Sequence, residues 1–195
     1  MKIRKESIIK RREDWAIVLD VYEAEKSSIH KRLKGRIAQM IGDRFFTLLE
    51  GLVREDVLIG ELERVYIGAG PRDKIAAILR KIKIEDLTSI AKTSLEKAVE
   101  IAIKTNEDLW VKFFNESGPI TRKLHSLELL PGIGKKKMWK IIQERERKKF
   151  ESFKDIIERV GIDPVKAITR RVLDELSGED KYRLFTGQER EIYGL

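Results

Sequence analysis

The stretch at residues 127–145, LELLPGIGKKKMWKIIQER, determines how the chain is interpreted. It predicts the end of one helix, a tight turn at residues 131–134, and a second helix that begins with three lysines. Glycine adopts backbone conformations that other residues avoid, and it leaves no side chain in the path of a ligand. The N-terminus of the second helix directs free N–H groups and a partial positive charge at the turn. Such a turn is typical of an anion site, and the adjacent lysines favour a phosphate.

The charge distribution supports the same interpretation. Residues 121–149 hold ten Lys and Arg against three Glu, a surplus of seven, whereas the whole chain carries a formal charge of +8. Nearly all the excess positive charge therefore lies around the glycine turn. The pattern is that of a helix-hairpin-helix element, which binds nucleic-acid backbone without reading bases.

A second, weaker copy of this pattern follows at residues 153–176, FKDIIERVGIDPVKAITRRVLDEL. Here Asp163 is the expected helix cap and Pro164 the first helical residue. The negative charge, the missing proline N–H and the single glycine make this turn a poor phosphate site, so a structural role is favoured. A contact to a flanking phosphate stays open for Lys166, Arg170 and Arg171. From residue 120 onward we expect only helices, with the polar tail from residue 177 folded back onto them.

The N-terminal half is rich in predicted strands. Residues 15–24, 44–53 and 63–67 combine aromatic and β-branched residues, and the ambiguous stretch 73–84 is assigned as a closing strand. Short strands of this number suggest a small closed or partly open barrel, with an oligonucleotide-binding (OB) barrel as the candidate. A loop or short strand rich in cations separates the first two strands. Rings that could stack on bases are Trp15, Tyr22, Phe45, Phe46 and Tyr66, although aromatic residues on barrel strands are more often core.

The segment between these halves predicts two helices, the first capped at Thr88 or Ser89. Trp110, Phe113 and Phe114 are expected to pack these helices against the barrel. The predicted fold class is therefore α+β, an N-terminal OB-like small β-barrel plus a C-terminal all-α tandem helix-hairpin-helix domain. The expected organisation is a basic N-terminal arm at 1–13, the barrel at 14–86, a helical connector packed on the barrel at 87–118, and the tandem helix-hairpin-helix domain at 119–195.

Composition excludes several kinds of site. There is no cysteine, which rules out disulfides and thiol chemistry, and the two histidines are far apart, so no metal is expected. No apolar run has the length of a membrane span and the charged N-terminus lacks a signal-peptide core, so we expect a cytoplasmic protein. Abundant Lys, Glu, Arg and Ile are typical of a thermophile.

Several stretches resemble known proteins. A small barrel followed by two helix-hairpin-helix motifs resembles the Holliday-junction-binding subunit of the bacterial branch-migration complex. The stretches RVYIG, KIEDLTSIAK, SLELLPGIGKK, RVGIDPVKAI and KYRLFTG more closely resemble an uncharacterised archaeal family of predicted RNA-binding proteins, family 655 of the domains of unknown function. This resemblance covers almost the whole chain and implies RNA or DNA binding, without catalytic residues or a cofactor.

We therefore expect a nucleic-acid-binding protein, with RNA favoured over DNA, that grips backbone phosphates without sequence preference. The expected contacts are Gly132, Ile133, Gly134, Lys135, Lys136, Lys137, Lys140, Arg122 and Lys123 around the turn, and Lys31, Arg32, Lys34, Arg36 and Arg44 on the barrel. The alternatives are a protein-interaction scaffold using the helical hairpins and a DNA-repair or recombination accessory factor.

No enzyme activity is expected, since the neighbouring carboxylates Glu61 with Glu63 and Asp174 with Glu175 look like ordinary surface pairs. No cofactor is expected either. The oligomeric state is open.

Overall fold

The structure, a computed structural model, describes residues 12–27, 29–30, 32–178 and 182–186. Within them the chain has a mixed α/β fold, in which a curled five-stranded antiparallel half-barrel is followed mainly by helices. Residues 1–11 of the predicted basic arm lie outside the described residues.

The half-barrel has the strand order β4-β1-β2-β3-β5, and every neighbouring pair is antiparallel. Its strands are β1 (Trp15–Glu23), β2 (Arg36–Gly42), β3 (Leu48–Val53), β4 (Arg64–Tyr66) and β5 (Ile75–Lys81). Because side chains alternate across a strand, Ile17 and Leu19 of β1 point to the helices while Ala16 and Val18 join the core on the other face. Both faces of the sheet are thus buried.

Of the loop or short strand left open between the first two predicted strands, the structure forms a short strand, since β2 begins at Arg36 and is buried from Ile37 to Gly42. One predicted strand boundary was wrong. The strand predicted from residue 44 begins instead at Leu48, because Phe46 has a positive φ of 53° and the preceding chain forms a turn. The Glu13 carboxylate holds that turn by accepting N–H bonds from Arg44, Phe45 and Thr47. The ambiguous stretch after residue 73 does form a strand, β5.

Two helices, α1 (Ser89–Thr105) and α2 (Glu107–Glu116), cover one face of the sheet. The Thr88 hydroxyl caps α1 by accepting the Ala91 N–H at 3.0 Å, as the sequence predicted. Trp110 of α2 is buried and its ring stacks on Phe46, with centroids 5.5 Å apart. The α2 aromatics Trp110, Phe113 and Phe114 are therefore core residues, and the helical connector at 87–118 stays a prediction.

The expectation of helices alone from residue 120 was wrong. A two-stranded hairpin, β6 (Pro119–Thr121) and β7 (Leu124–His125), comes first, and only a single 3-10 turn, Ser126–Leu129, leads into the glycine turn. Ser126 fixes this path because its N–H and hydroxyl both donate to the Gly118 carbonyl, at 3.0 and 2.8 Å. The α-helices that follow are α3 (Lys135–Arg147), α4 (Phe153–Val160) and α5 (Pro164–Ser177).

Residues 182–186 pack back onto the helices, as expected. The Glu175 carboxylate of α5 is fully buried and accepts backbone N–H bonds from Leu184, Phe185 and Thr186 at 2.6–3.0 Å. It also accepts from Arg171 Nε at 2.8 Å. Glu175 is therefore not part of a surface pair, which corrects that prediction. The Phe185 ring closes the arrangement against Trp110 of α2, with centroids 5.2 Å apart.

One large apolar cluster joins residues from the half-barrel, from α1 and α2, and from the helices after residue 126. Ile17, Trp110, Ile141 and Phe185 all belong to it. A second, smaller cluster fills the other face of the sheet. The division at residues 86 and 118 stays a prediction, and the segments on both sides of it share this core.

Candidate nucleic-acid interface

The glycine turn at residues 131–134 faces open space. Gly132 has φ +83°, which favours glycine, and Gly134 has an ordinary φ of −84° as the N-cap residue of α3. A β-carbon at either position would meet no atom within 4 Å. The two glycines thus serve different ends, since Gly132 makes the turn possible and Gly134 leaves the entrance to the helix unobstructed.

The N-terminus of α3 has no side-chain cap. Lys135, Lys136 and Lys137 occupy its first turn and are exposed, and no acidic residue lies there. Behind them Ile133 is 3% exposed, and its N–H donates to the Leu130 carbonyl at 3.0 Å, which anchors the turn in the core. The result is a rigid turn with a partial positive charge, free N–H groups and three lysines on one exposed end.

The two hairpin turns line one cleft of about 210 Å³. Residues 131–133 and Lys137 form one side, and Gly161, Ile162 and Asp163 with Lys166 and Arg170 of α5 form the other. The cleft thus carries three cations and one carboxylate. It is a concave place in which an anion can reach cations from two helices at once.

Lys140 forms a hydrogen bond that links α3 to the end of α4. Its Nζ donates to the Val160 carbonyl, the last residue of α4, at 3.2 Å. Gly161 follows with φ +79°, close to the +83° of Gly132, so the second turn has the backbone sense of the first. The predicted phosphate contact of Lys140 stays a prediction, and its contact to Val160 gives it a structural role.

The second hairpin differs from the first at its helix entrance, as the sequence indicated. The Asp163 carboxylate caps α5 by accepting the Lys166 N–H at 3.1 Å. Arg171 is 5% exposed and bonds to Glu175, so it does not face the cleft that Lys166 and Arg170 line. Of the three cations left open for flanking contacts, the structure places two in the cleft.

Arg122 and Lys123 lie in the exposed turn between β6 and β7. The chain runs from this hairpin through the 3-10 turn into the glycine turn, and His125 fixes the joint because its Nδ1 accepts the Leu127 N–H at 3.1 Å. Burial, together with the nearby Arg145 charge, lowers the pKa of His125 and keeps that nitrogen able to accept.

The cations expected to bind nucleic acid on the half-barrel differ in their exposure and in their contacts. Arg32 and Lys34 are exposed in the loop before β2, and Lys31 lies outside the described residues. Arg36 instead donates to the Val57 carbonyl at 2.6 Å and so supports the loop after β3. Arg44 is exposed and its guanidinium lies 5.4 Å from the centre of the Phe45 ring.

A buried carboxylate anchors the loop that carries Arg32 and Lys34. Glu50 of β3 accepts from Arg80 Nε at 2.7 Å and from Tyr22 Oη at 3.1 Å, and it contacts His30 Nε2 at 2.9 Å. Burial alone would raise the pKa of Glu50, but the hydrogen bonds from Arg80, His30 and Gln39 outweigh it and hold the pKa below its usual value. The loop is therefore attached to the sheet through His30.

The rings named as candidates for stacking are mostly occupied within the fold. Phe46 is fully buried, Phe45 is 8% exposed, and Tyr22 bonds to Glu50. Trp15 is partly exposed, but Tyr66 packs against its edge and the Arg64 guanidinium lies 4.2 Å from its ring centre.

Sequence reasoning missed a ring on α3. Trp139 is 57% exposed, the most exposed tryptophan of the chain. It could have been found from its position, because it lies out of phase with the buried stripe of Met138, Ile141 and Ile142.

The chain matches a recognised group of proteins. A family model described as a protein of unknown function (DUF655) matches residues 12–187, which include the half-barrel, both hairpin turns and the residues that bond to Glu175. The chain belongs to this family. The resemblance to an uncharacterised archaeal family is thereby confirmed.

Two relatives illustrate the family. An uncharacterised protein of Methanocaldococcus jannaschii is 52% identical over 158 residues, which cover 80% of this chain and 73% of the relative. The crystal structure of Af1531 from Archaeoglobus fulgidus, described as a DUF655 family model, is 46% identical and superposes with a TM-score of 0.78, covering 90% of this chain and 100% of that one.

Two structural features were not found among the described residues. No helix in this part of the chain has both the length and the apolar character needed to cross a membrane. No group of three or more His, Cys, Asp or Glu side chains there could hold a metal ion.

Proposed function

We propose that this protein binds RNA by its phosphate backbone, without sequence preference, at the cleft between the two hairpin turns. The single observation that carries the proposal is this cleft, which Lys137 from the uncapped first turn of α3 lines together with Lys166 and Arg170 of α5. Phosphate is the anion that such a combination of amides, helix dipole and cations binds best.

The finer description of the fold is part of this proposal. The two turns are interpreted as a tandem helix-hairpin-helix unit and the curled sheet as an OB-like half-barrel. Arg32 and Lys34 supply a second stretch of backbone contacts on the loop anchored by His30. RNA is favoured over DNA by the resemblance of the sequence to predicted RNA-binding proteins, and the cytoplasm is the expected location.

The test is binding of fluorescein-labelled RNA and DNA of mixed sequence, measured by anisotropy over a range of NaCl concentrations. Affinity should fall steeply with salt because binding releases counterions. Replacing Lys135, Lys136 and Lys137 together by Ala should weaken binding and reduce the slope of log K against log salt by about 1 for each phosphate that these lysines no longer neutralise. A matched control removes three exposed lysines of α1 and α2, Lys97, Lys104 and Lys112.

Gly134→Val tests the location of the site without removing charge. Its backbone conformation is open to any residue and an added β-carbon meets no protein atom within 4 Å, so the fold should lose less than about 1 kcal/mol. A phosphate at the α3 N-terminus would nevertheless be obstructed. Unchanged affinity in this variant and in the triple-lysine variant would overturn the proposed function.

The proposed role is binding without catalysis. Labelled RNA and DNA are incubated with the protein and Mg²⁺ and analysed by gel for cleavage. Intact substrate is expected, and cleavage that a Gly134→Val protein no longer performs would replace binding by a nuclease function at this site.

A further inference from the structure

An exposed aromatic ring lies beside the proposed phosphate site and is not used by it. Trp139 of α3 is 57% exposed, whereas Trp110 is 1% exposed and Trp15, at 37%, packs against Tyr66 and Arg64. No aromatic or cationic side chain of the described residues packs on the Trp139 ring, and its indole N–H has no hydrogen-bond partner among them. So large an apolar group in water is unfavourable unless something covers it.

Helix geometry places this ring over the first turn of α3. Trp139 follows Lys135 by four positions and Lys136 by three, so the three side chains share one face. The rise from Lys135 is about 6 Å, and helical side chains lean toward the N-terminus. From this spacing we expect the indole beside the N-terminal N–H groups, about one nucleotide's length from a phosphate bound there.

The ring lies on a different side of α3 from the cleft. Lys137 lines the cleft, and Trp139 is two positions further, a rotation of about 200° around the helix axis. A strand held by its phosphate at the α3 N-terminus can therefore have the cleft on one side of that phosphate and the indole on the other.

The residues around the ring favour a nucleotide over a protein surface. Its exposed neighbours at helical spacing are Lys135, Lys136 and Gln143, which are cationic or polar. A protein-binding patch is usually a contiguous apolar area. A single ring among cations instead matches the stacking platforms of proteins that bind single strands, where the ring takes the base and the cations take the backbone.

We propose that Trp139 stacks on an unpaired base of the nucleotide next to the phosphate held at the α3 N-terminus. This inference rests on the proposed function and narrows its ligand to nucleic acid that is single-stranded at this point. A base in a continuous duplex is already stacked and paired, and its face is not accessible to the indole.

The test compares Trp139→Ala with Trp139→Phe, using a single-stranded RNA about a dozen nucleotides long and a blunt duplex of the same length. Trp139→Ala should lose roughly tenfold in affinity for the single strand and little for the duplex. The salt slope should not change, because no charge is removed. Trp139→Phe should retain most of the affinity, since a phenyl ring also stacks.

The chain offers a matched control and a second readout. Ile157→Ala removes an apolar side chain of similar exposure, 47%, from α4 and should leave both affinities unchanged. Stacking should also quench tryptophan fluorescence when the single strand is added, and most of this quenching should disappear in Trp139→Phe.

The outcomes separate this inference from the proposed function. If the triple-lysine variant binds more weakly but Trp139→Ala binds the single strand like the wild type, stacking is overturned and phosphate binding stands. If Trp139→Ala lowers the affinity for single strand and duplex equally, stacking on an unpaired base is also overturned. A protein captured through Trp139 from a nuclease-treated lysate, combined with unchanged RNA affinity in Trp139→Ala, would assign the ring to a protein partner instead.

Discussion

At the scale of single residues, two glycines two positions apart make different contributions to the same turn. Gly132 has φ +83°, which a side chain disfavours for steric reasons, whereas Gly134 has φ −84°, which any residue adopts. Neither position is crowded, since an added β-carbon would meet no atom within 4 Å. The sequence indicated a glycine turn but could not show that the backbone requires glycine at residue 132 and not at residue 134.

This difference predicts that the same substitution at the two glycines lowers the free energy of unfolding by different amounts. Gly132→Ala should cost about 1–2 kcal/mol of unfolding free energy because alanine is strained at positive φ, and Gly134→Ala should cost less than about 1 kcal/mol. Urea unfolding of the two variants measures both values. Gly161→Ala, at φ +79° in the second turn, is the matched control for Gly132→Ala and should cost a similar amount. Equal stability of the Gly132 and Gly134 variants would contradict this account.

A second residue-scale prediction concerns acid. The pKa of His125 is lowered by burial, next by the Arg145 charge, with Glu128 acting in the opposite direction. Because the unfolded chain binds this proton more readily, the contribution of His125 is present above its ordinary pKa of about 6.5 and is lost as pH falls through the lowered folded value. His125→Asn keeps an acceptor for the Leu127 N–H without titrating.

The measurement is the urea midpoint of both proteins between pH 5 and 7.5. The wild type should lose more stability toward acid than His125→Asn does. Other titrating groups are present in both proteins, so they cancel in the difference. Parallel pH profiles would show that His125 does not contribute.

At the scale of elements, the two hairpins differ most at the entrances of their second helices. Helix α3 begins at Gly134 without a side-chain cap, whereas Asp163 caps α5 and adds a negative charge to the shared cleft. The cap stabilises the start of α5, and its negative charge weakens anion binding in the cleft.

Asp163→Asn separates the two effects of that carboxylate. Asparagine is as good an N-cap as aspartate, so unfolding should change by only a few tenths of a kcal/mol. Removing the negative charge should tighten RNA binding several-fold at low salt, and the gain should shrink as salt is added. Anisotropy titrations at two salt concentrations check this. Weaker binding by Asp163→Asn would mean that the cleft does not receive the phosphate.

An element could be predicted from the sequence when the residues that determine it lie close together in the chain. Helices α1 and α2 and strand β1 were predicted because their caps and apolar patterns are local. Strand β2 could not be distinguished from a loop because it is buried on both faces and so lacks alternation. The turn before β3 depends on Glu13, more than thirty residues earlier, which no local pattern reveals.

In the candidate site, too, the sequence showed the features that lie in one stretch but not those that depend on packing. The glycine turn and its lysines were visible in one short stretch, whereas the shared cleft depends on the packing of α3 against α4 and α5. The exposure of Trp139 also depends on that packing. The β6–β7 hairpin was missed because its strands have three and two residues, too few to show a pattern.

At the scale of the whole molecule, one apolar cluster runs from β1 to Phe185. The half-barrel and the helices contribute to this same core, so the sheet face in this cluster is buried only when the helices are in place. Phe185 lies at the centre of this arrangement, between Trp110 and Phe113 of α2, at centroid distances of 5.2 and 5.1 Å.

Phe185→Ala should therefore destabilise the entire fold by about 3–5 kcal/mol, the usual cost of deleting a buried phenyl ring. Denaturation followed by circular dichroism and by tryptophan fluorescence should give coincident single transitions in both the wild type and the variant. Leu58→Ala, at an 88% exposed position, is the control and should have no effect. Separate transitions for strands and helices would show that they fold independently.

The contacts of residues 182–186 with Glu175 and Trp110 also have a consequence for biosynthesis. A chain emerging from the ribosome holds its half-barrel and all five described α-helices before residue 185 has been made. Until then Trp110 lacks the ring that covers it, and the buried Glu175 carboxylate lacks the three backbone N–H groups that it binds. Completion of the core is therefore delayed until nearly the whole family domain has been synthesised, and a prematurely terminated chain exposes apolar surface that proteases and chaperones recognise.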